Sequence, residues 1–509
     1  MTPKLSRVST VDRIRSPKSS SDDRSQLAQS RRCACSIAAM VPTRDLAPAP
    51  NAAARVDLAR VLGPWAAGAI VVGTMLGTGI FIVPSTMARQ AGSVPLVMLA
   101  WVVGGLLALF GALSYAELAT AMPEAGGPYA YLRRAFGERT AFLFGWTHAV
   151  LVGPSSGATI ATGLLQFAAF LSPGLLVPIA VAGMSITPAQ TWAVVVLIAV
   201  GTINYLGVRL GGRLQVALTA LKVAVLAAIV MIPVFTSSVH AAPGDVPTAV
   251  TTGTLSGFLA ALVGALWAYE GWTSLTYVGS EVVDPQRSIP RALTVGVIGV
   301  GVIYLLVNAA VFVVLPFAHV VRSSSVAADL VDLAAGHGAS WWITIAMMVS
   351  ALGSLNSDTL TNARIPYALG RDGLLFPFTG RVSPRFRTPG GALLLHTAIA
   401  CAIAITGTFE ELYSLYVFSQ WLFLGLAAAA VIVLRRTAPD LPRPYRTWGF
   451  PFVPLAFIAG CCALTVSLWV ARPVRSTIGL ALIFAGVPIH AWIVRNRQPT
   501  ASAGPEREV

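Results

Sequence analysis

Two short stretches place glycine and polar residues where an apolar helix would carry leucine. The first is Gly73-Thr74-Met75-Leu76-Gly77-Thr78-Gly79 and the second is Trp267-Ala268-Tyr269-Glu270-Gly271-Trp272. Non-helical backbone inside a bilayer is tolerated only where protein buries it or where it lines a cavity, because an unpaired amide in hydrocarbon is costly. Where a helix restarts after a break, its free N–H groups favour a carboxylate; where one stops, its free C=O groups favour an ammonium. A zwitterion matches both ends at once. Gly73 and Gly77 also fit the small-xxx-small spacing of close helix packing, so packing is the alternative for the first stretch taken alone. Paired with the second break, the binding reading leads.

Ionisable residues inside apolar runs form the second group of candidates. After Lys18 the chain holds one lysine, Lys222, within the apolar run 221–230, and uses arginine for every other cation. A buried ammonium needs partners, which makes an intramembrane ionisable residue functional by default; the alternative is that Lys222 snorkels to the nearby interface. Ser354, Ser357 and Asp358 are candidate partners for it, and Asp358 has Arg364 as a second possible mate. Glu270 lies within the second break, where its charge either faces a substrate side chain or caps loosened amides. Glu117 is either a gating or proton-linked carboxylate or half of an ion pair with a loop arginine.

The elements that hold these residues are dictated by composition. With 509 residues, 55% of them hydrophobic and 11% charged, the chain has too little polar surface for a water-soluble globule. A span needs about 20 mostly apolar residues, and twelve such stretches fit between residues 65 and 495. They run over 65–85, 95–121, 140–171, 191–209, 214–235, 253–281, 291–316, 340–369, 390–408, 411–434, 449–470 and 476–495. The two breaks fall in the first and sixth spans. An offset of five spans inverts a repeat across the membrane, the arrangement in which broken helices of two halves build a midplane site.

The net charge of +14 follows the membrane rather than a nucleic acid. Loops between spans 2/3, 4/5, 6/7, 8/9 and 10/11, with their immediate flanks, carry fifteen arginines, against four on the other side. The positive-inside rule then puts both termini in the cytoplasm, with residues 1–60 and 496–509 as tails around a transmembrane domain over 61–495. Residues 1–50 contain nine Arg or Lys and no sustained apolar run, so no secretory signal is expected. Cys33 and Cys35 lie in the tail and Cys401, Cys461 and Cys462 in apolar spans, so no disulfide framework is expected.

Several motifs together resemble the amino acid, polyamine and organocation permeases. They are Gly-Thr-Gly-Ile-Phe at 77–81, Ser114-Tyr115-Ala116-Glu117-Leu118, Pro123-Glu124-Ala125-Gly126-Gly127-Pro128-Tyr129, the sixth-span Trp-Ala-Tyr-Glu-Gly-Trp, and Asn362-Ala363-Arg364 leading into Gly370-Arg371-Asp372-Gly373. Within that superfamily the chain is most similar to the L-amino acid transporter branch. The resemblance implies an all-α membrane protein of twelve helices, a five-plus-five inverted repeat with helices 1 and 6 broken, and alternating access in the plasma (inner) membrane. By position it puts the substrate carboxylate at N–H groups around Gly77, Thr78 and Gly79. The ammonium falls at carbonyls near Met75 and from Trp267 through Ala268 to Glu270 and Gly271. Trp267 corresponds to the aromatic that covers the substrate, and a lysine at 222 either takes the place of the ion held by sodium-coupled relatives or exchanges a proton. Asp358 departs from the family pattern.

No metal-ligand spacing, nucleophile motif or phosphate loop supports an enzyme, and no cofactor is implied. A channel or an amino-acid-sensing receptor on the same scaffold is the alternative of another class; neither a carbonyl filter nor a ring of pore charge is present. Neutral L-amino acids are the expected substrates, with cationic amino acids or polyamines as the alternative. The third-to-fourth loop contains no cysteine, whereas family members that bind a single-span heavy chain use one there, so no disulfide-linked partner is expected.

Overall fold

In the computed structural model, residues 57–496 are described, apart from Thr78, 182–183, 236–253, Ser324, His337 and 407–408. The chain is helical almost throughout. The first apolar run forms α1 (Pro64–Met75) and α2 (Gly79–Ala91), followed by α3 (Val94–Ala121), α4 (Pro128–Phe136) and α5 (Glu138–Thr147). A π-helical stretch, His148–Val152, joins α5 to α6 (Gly153–Leu171). A short hairpin, with β1 (Ile179–Val181) antiparallel to β2 (Met184–Ile186), precedes α7 (Pro188–Leu206) and α8 (Val208–Phe235). The second broken run gives α9 (Leu255–Ala268) and the one-turn α10 (Ser274–Tyr277). After it come α11 (Pro285–Val314), α12 (Phe317–Arg322), α13 (Val326–Ala335), α14 (Ser340–Asn362), α15 (Arg364–Arg371), α16 (Gly390–Thr406), α17 (Phe409–Thr437), α18 (Phe452–Ala471) and α19 (Pro473–Asn496).

Among the described residues, eight helices are long and apolar enough to cross a membrane, taking α1 and α2 together, and α9 and α16 are shorter apolar helices. α6 and α14 are absent from the eight. Their apolar character is diluted by Ser155, Ser156, Thr159 and Thr162 on one and Ser350, Ser354, Asn356, Ser357 and Asp358 on the other. These two helices pack against each other, and nearly all of those polar side chains are buried. Several of them bond across or along the helices, as Ser156 does to Asp358 and Asn356 to Gln215, while Ser155 Oγ and Thr159 Oγ1 have no partner among the described residues.

An aromatic cluster braces the second break. The rings of Trp101 (α3) and Tyr304 (α11) meet edge to face with centroids 5.0 Å apart, and Tyr269 packs on both at 5.8 and 5.1 Å. Edge-to-face pairs add about 0.5–1.5 kcal/mol each beyond their buried area, so the chain leaving α9 is held rigidly at Tyr269. The segment before α1 is anchored as well: Val61 and Leu62 donate to the Glu281 carbonyl at 2.9 Å, and Leu62 bridges in parallel to Val282.

Candidate functional site

α1 stops at Met75 because the following backbone turns away: Gly77 N–H donates to the Met75 carbonyl at 2.7 Å instead of continuing the ladder. The carbonyls released there find side-chain partners. Lys222 Nζ donates to Gly73 O at 2.7 Å, Ser354 Oγ reaches the same oxygen at 3.2 Å, and Ser350 Oγ donates to Leu76 O at 3.1 Å. The Thr74 and Ser357 hydroxyls share a hydrogen bond of 2.6 Å. A single hydroxyl, that of Tyr304, lies within hydrogen-bond distance of both Met75 O and Ala268 O and shares its one proton between them, which ties the two breaks together.

The second break is a tight turn. Tyr269 N–H closes on Ala265 O and Glu270 N–H on Trp267 O, after which Gly271 takes φ +116° and Ser274 N–H returns to Gly271 O. Only glycine adopts that backbone without strain, and a Cβ at 271 would meet Thr74 Cγ2 at 2.8 Å. Across the interface, a Cβ at Gly79 would meet the Ala268 Cα at 3.1 Å. The two breaks touch through backbone at both places.

Between them lies a cavity of about 80 Å³, lined by Thr74, Met75, Gly77 and Gly79 from the first break and by Trp267, Ala268, Glu270 and Gly271 from the second. The rest of the wall mixes the polar Ser156, Thr159, Ser354, Asp358, Asn362 and Gln420 with the apolar Val152 and Ile160. That space holds a few waters or a small organic zwitterion. α2 restarts at Gly79 on the cavity rim, where the first N–H groups of a helix lack internal acceptors. Glu270 Oε1 accepts from Gln420 Nε2 at 3.2 Å. Trp267 is half-buried and stands in the wall between this cavity and a second one of about 360 Å³, which Thr86, Gln90 and Arg472 line.

At the other end of α1 a third cavity, about 490 Å³, is ringed by Asp57, Arg60, Glu124, Arg133, Arg371 and Asp372. Arg133 pairs with Asp372, Tyr129 Oη donates to the same carboxylate at 2.6 Å, and Arg371 meets Asp57 at 3.0 Å. Burial, then the Asp372 contact, pushes the Tyr129 phenol well above its usual value, so it remains a donor. Close in sequence to the linings of both this vestibule and the central cavity is the fully buried, two-pronged pair of Arg364 with Glu281, at 2.7 and 2.9 Å.

The structure brings most of the residues singled out from sequence into one place. Met75, Gly77, Gly79, Trp267, Ala268, Glu270, Gly271, Ser354 and Asp358 all line the central cavity. Lys222 is buried and bridges α8 to the first break and to α14, rather than reaching for the interface. Ser357 touches the break through Thr74. Thr78 lies outside the described residues. Both candidate pairings of Asp358 are replaced, whereas of the two readings of Glu117 the ion pair with an arginine is the one seen. Asp358 meets neither Lys222 nor Arg364; its Oδ1 accepts from Ser156 at 2.6 Å and from Asn362 at 2.7 Å. Glu117 lies apart from the cavity in an ion pair: Arg435 binds both its oxygens at 2.9 and 2.7 Å, and Thr447 N–H adds a third bond. Sequence reasoning missed Tyr304, Gln420, His148 and His396. Polar residues in otherwise apolar helices were the available signal.

The amino acid permease family model matches residues 62–494. The chain belongs to this family. The mouse b(0,+)-type amino acid transporter 1 is 33% identical over 79% of this chain and 81% of its own length. The human cystine/glutamate transporter is 28% identical over 88% of each chain. The serine/threonine exchanger SteT of Bacillus subtilis (strain 168) is 28% identical over 86% of this permease and 98% of its own length. The family and these relatives are transporters, not enzymes, and the apolar helices make this permease a multi-pass membrane protein.

Proposed function

We propose that this permease carries L-amino acids across the plasma membrane by alternating access. The observation that carries this reading is that two helix interruptions face each other across one small polar cavity. The α-carboxylate binds N–H groups around Thr78 and Gly79, where α2 restarts, and the α-ammonium binds carbonyls near Met75 and from Trp267 to Glu270. Trp267 closes over the substrate. The hydroxyls and amides in the wall and the small volume favour small neutral side chains, in line with a relative named as a serine/threonine exchanger.

In this reading residues 61–495 form twelve membrane helices, with spans 1–5 and 6–10 related by an inverted repeat, and both tails are cytoplasmic. The breaks lie five spans apart, which supports the repeat. Lys222 stands where a bound ion would brace the first break, so transport is sodium-independent, either as exchange or linked to protons. No covalent heavy chain is involved, since the 172–187 segment contains no cysteine. Counterflow in proteoliposomes tests the reading: labelled serine or alanine should accumulate several-fold faster when the same amino acid is inside, equally in sodium and choline buffers. Current without counterflow would mean a channel.

A second substrate reading rests on Glu270, whose carboxylate faces the cavity with a neutral amide as partner. It favours a cationic side chain or a polyamine. Uptake competition by lysine, arginine and spermidine against serine separates the two, and absence of inhibition by all three ends the second.

A further inference from the structure

Near the central cavity several buried polar atoms have no hydrogen-bond partner among the described residues, and three of them belong to ionisable side chains. They are Asp358 Oδ2 on α14, His396 Nε2 on α16 and His148 Nδ1 in the π-helical stretch. Their side chains are all buried. Asp358 Oδ2 and His396 Nε2 lie 3.8 Å apart, beyond hydrogen-bond range. Both border the bare Cα of Gly157, where a Cβ would sit 3.3 Å from the oxygen and 3.7 Å from the nitrogen. Buried polar atoms are almost always satisfied, and a carboxylate beside an imidazole is satisfied by one shared proton. Asp358 and His148 line the cavity and His396 stands behind Asp358, so water entering with the substrate reaches the pair through Asp358.

We propose that Asp358 and His396 form a one-proton site beside the amino acid, and that substrate crosses together with that proton. A proton from water on the open side adds to the pair; after the cavity opens on the other side it returns to water, and no other bond changes. The ionisable groups around the site are His148, Glu270 and Tyr277, which line the same cavity, and Lys222, which donates to Ser354, one helical turn from Asp358 on the same face of α14. Arg364 is committed to Glu281. Lys222 hydrogen-bonds the first break instead, so the proton site is distinct from it.

The inference rests on the amino acid transport reading, and reconstituted full-length protein tests the two separately. Lumenal pH dye and labelled serine are followed together, at external pH from about 5.5 to about 8. We expect uptake to rise several-fold as the external pH falls, with acidification of the lumen. Asp358→Asn keeps Oδ1 for Ser156 and Asn362 but removes the ionisable oxygen; it should flatten the pH profile and abolish the dye signal while counterflow stays measurable. His396→Gln should flatten the profile likewise, and it carries the comparison if Asp358→Asn does not purify as a single species. Serine uptake without lumenal acidification, or an Asp358→Asn profile like the parent's, overturns the proton site alone. Absence of uptake and counterflow in the parent protein overturns the transport reading and the proton site with it.

Discussion

At the scale of single residues, the site is built more from the absence of side chains than from their presence. Gly271 has φ +116° and packs on the Thr74 backbone, so an alanine there meets both a conformational cost of about 1–3 kcal/mol and a collision. A Cβ at Gly77 would be 3.4 Å from the Ser354 hydroxyl, ordinary contact. Gly271→Ala should therefore lower counterflow at least tenfold, and Gly77→Ala much less, when equal amounts of folded protein are reconstituted. The ion pairs are ranked by burial in the same way. Arg364 and Glu281 are wholly buried, and Glu281→Ala would strand a guanidinium, costing about 3–5 kcal/mol. Asp57 and Arg371 are exposed, and Asp57→Ala should cost at most about 1 kcal/mol. Thermal unfolding in detergent, with the two variants side by side, measures the difference.

At the scale of elements, the breaks were legible because glycine and polar residues interrupt apolar runs, and α1 and α9 do end at Met75 and Ala268. Most span limits fall within a few residues of those read from hydropathy, although α8 begins at Val208 rather than 214. That start, beside Arg209 and Arg213, is hidden by the charges that hydropathy penalises. The π-helical stretch 148–152 was not legible: one extra residue in a turn leaves no compositional trace, yet it delivers His148 to the cavity. Partners of buried groups were equally hidden, because pairing depends on which helix faces meet. Asp358 meets Ser156 from α6, some two hundred residues away in sequence, rather than a cation. Tyr304 is the clearest case of a missed element-level role. Tyr304→Phe leaves two buried carbonyls without their shared donor, at a cost of about 1–3 kcal/mol. It should weaken amino acid binding in thermal-shift titrations by about tenfold or more.

At the scale of the whole molecule, Trp267 lines both the central cavity and the one of about 360 Å³, and the buried Arg364–Glu281 pair lies within two residues of Ser280 in the lining of the third cavity and of Asn362 in that of the central one. Trp267→Ala would join the central cavity to the space of about 360 Å³ beyond it. Substrate release to that side should quicken, with a raised KM and a smaller stimulation by internal substrate in counterflow assays. On the other face, the Arg133–Asp372–Tyr129 cluster spans α4 and the end of α15. Asp372→Asn should bias the resting protein toward opening there, measured as faster labelling of a cysteine placed at Ala125, which lines that vestibule.

The hold of Lys222 on Gly73 has an energetic consequence. A free ion that braces a helix arrives from one compartment and leaves into the other, and its passage converts a salt gradient into accumulated solute. An ammonium anchored by its own stem never leaves. In the transport proposed above it supplies the bracing and none of the work, so a sodium gradient should leave accumulation unchanged, and the net direction should follow the relative amounts of amino acid on the two sides together with the proposed proton.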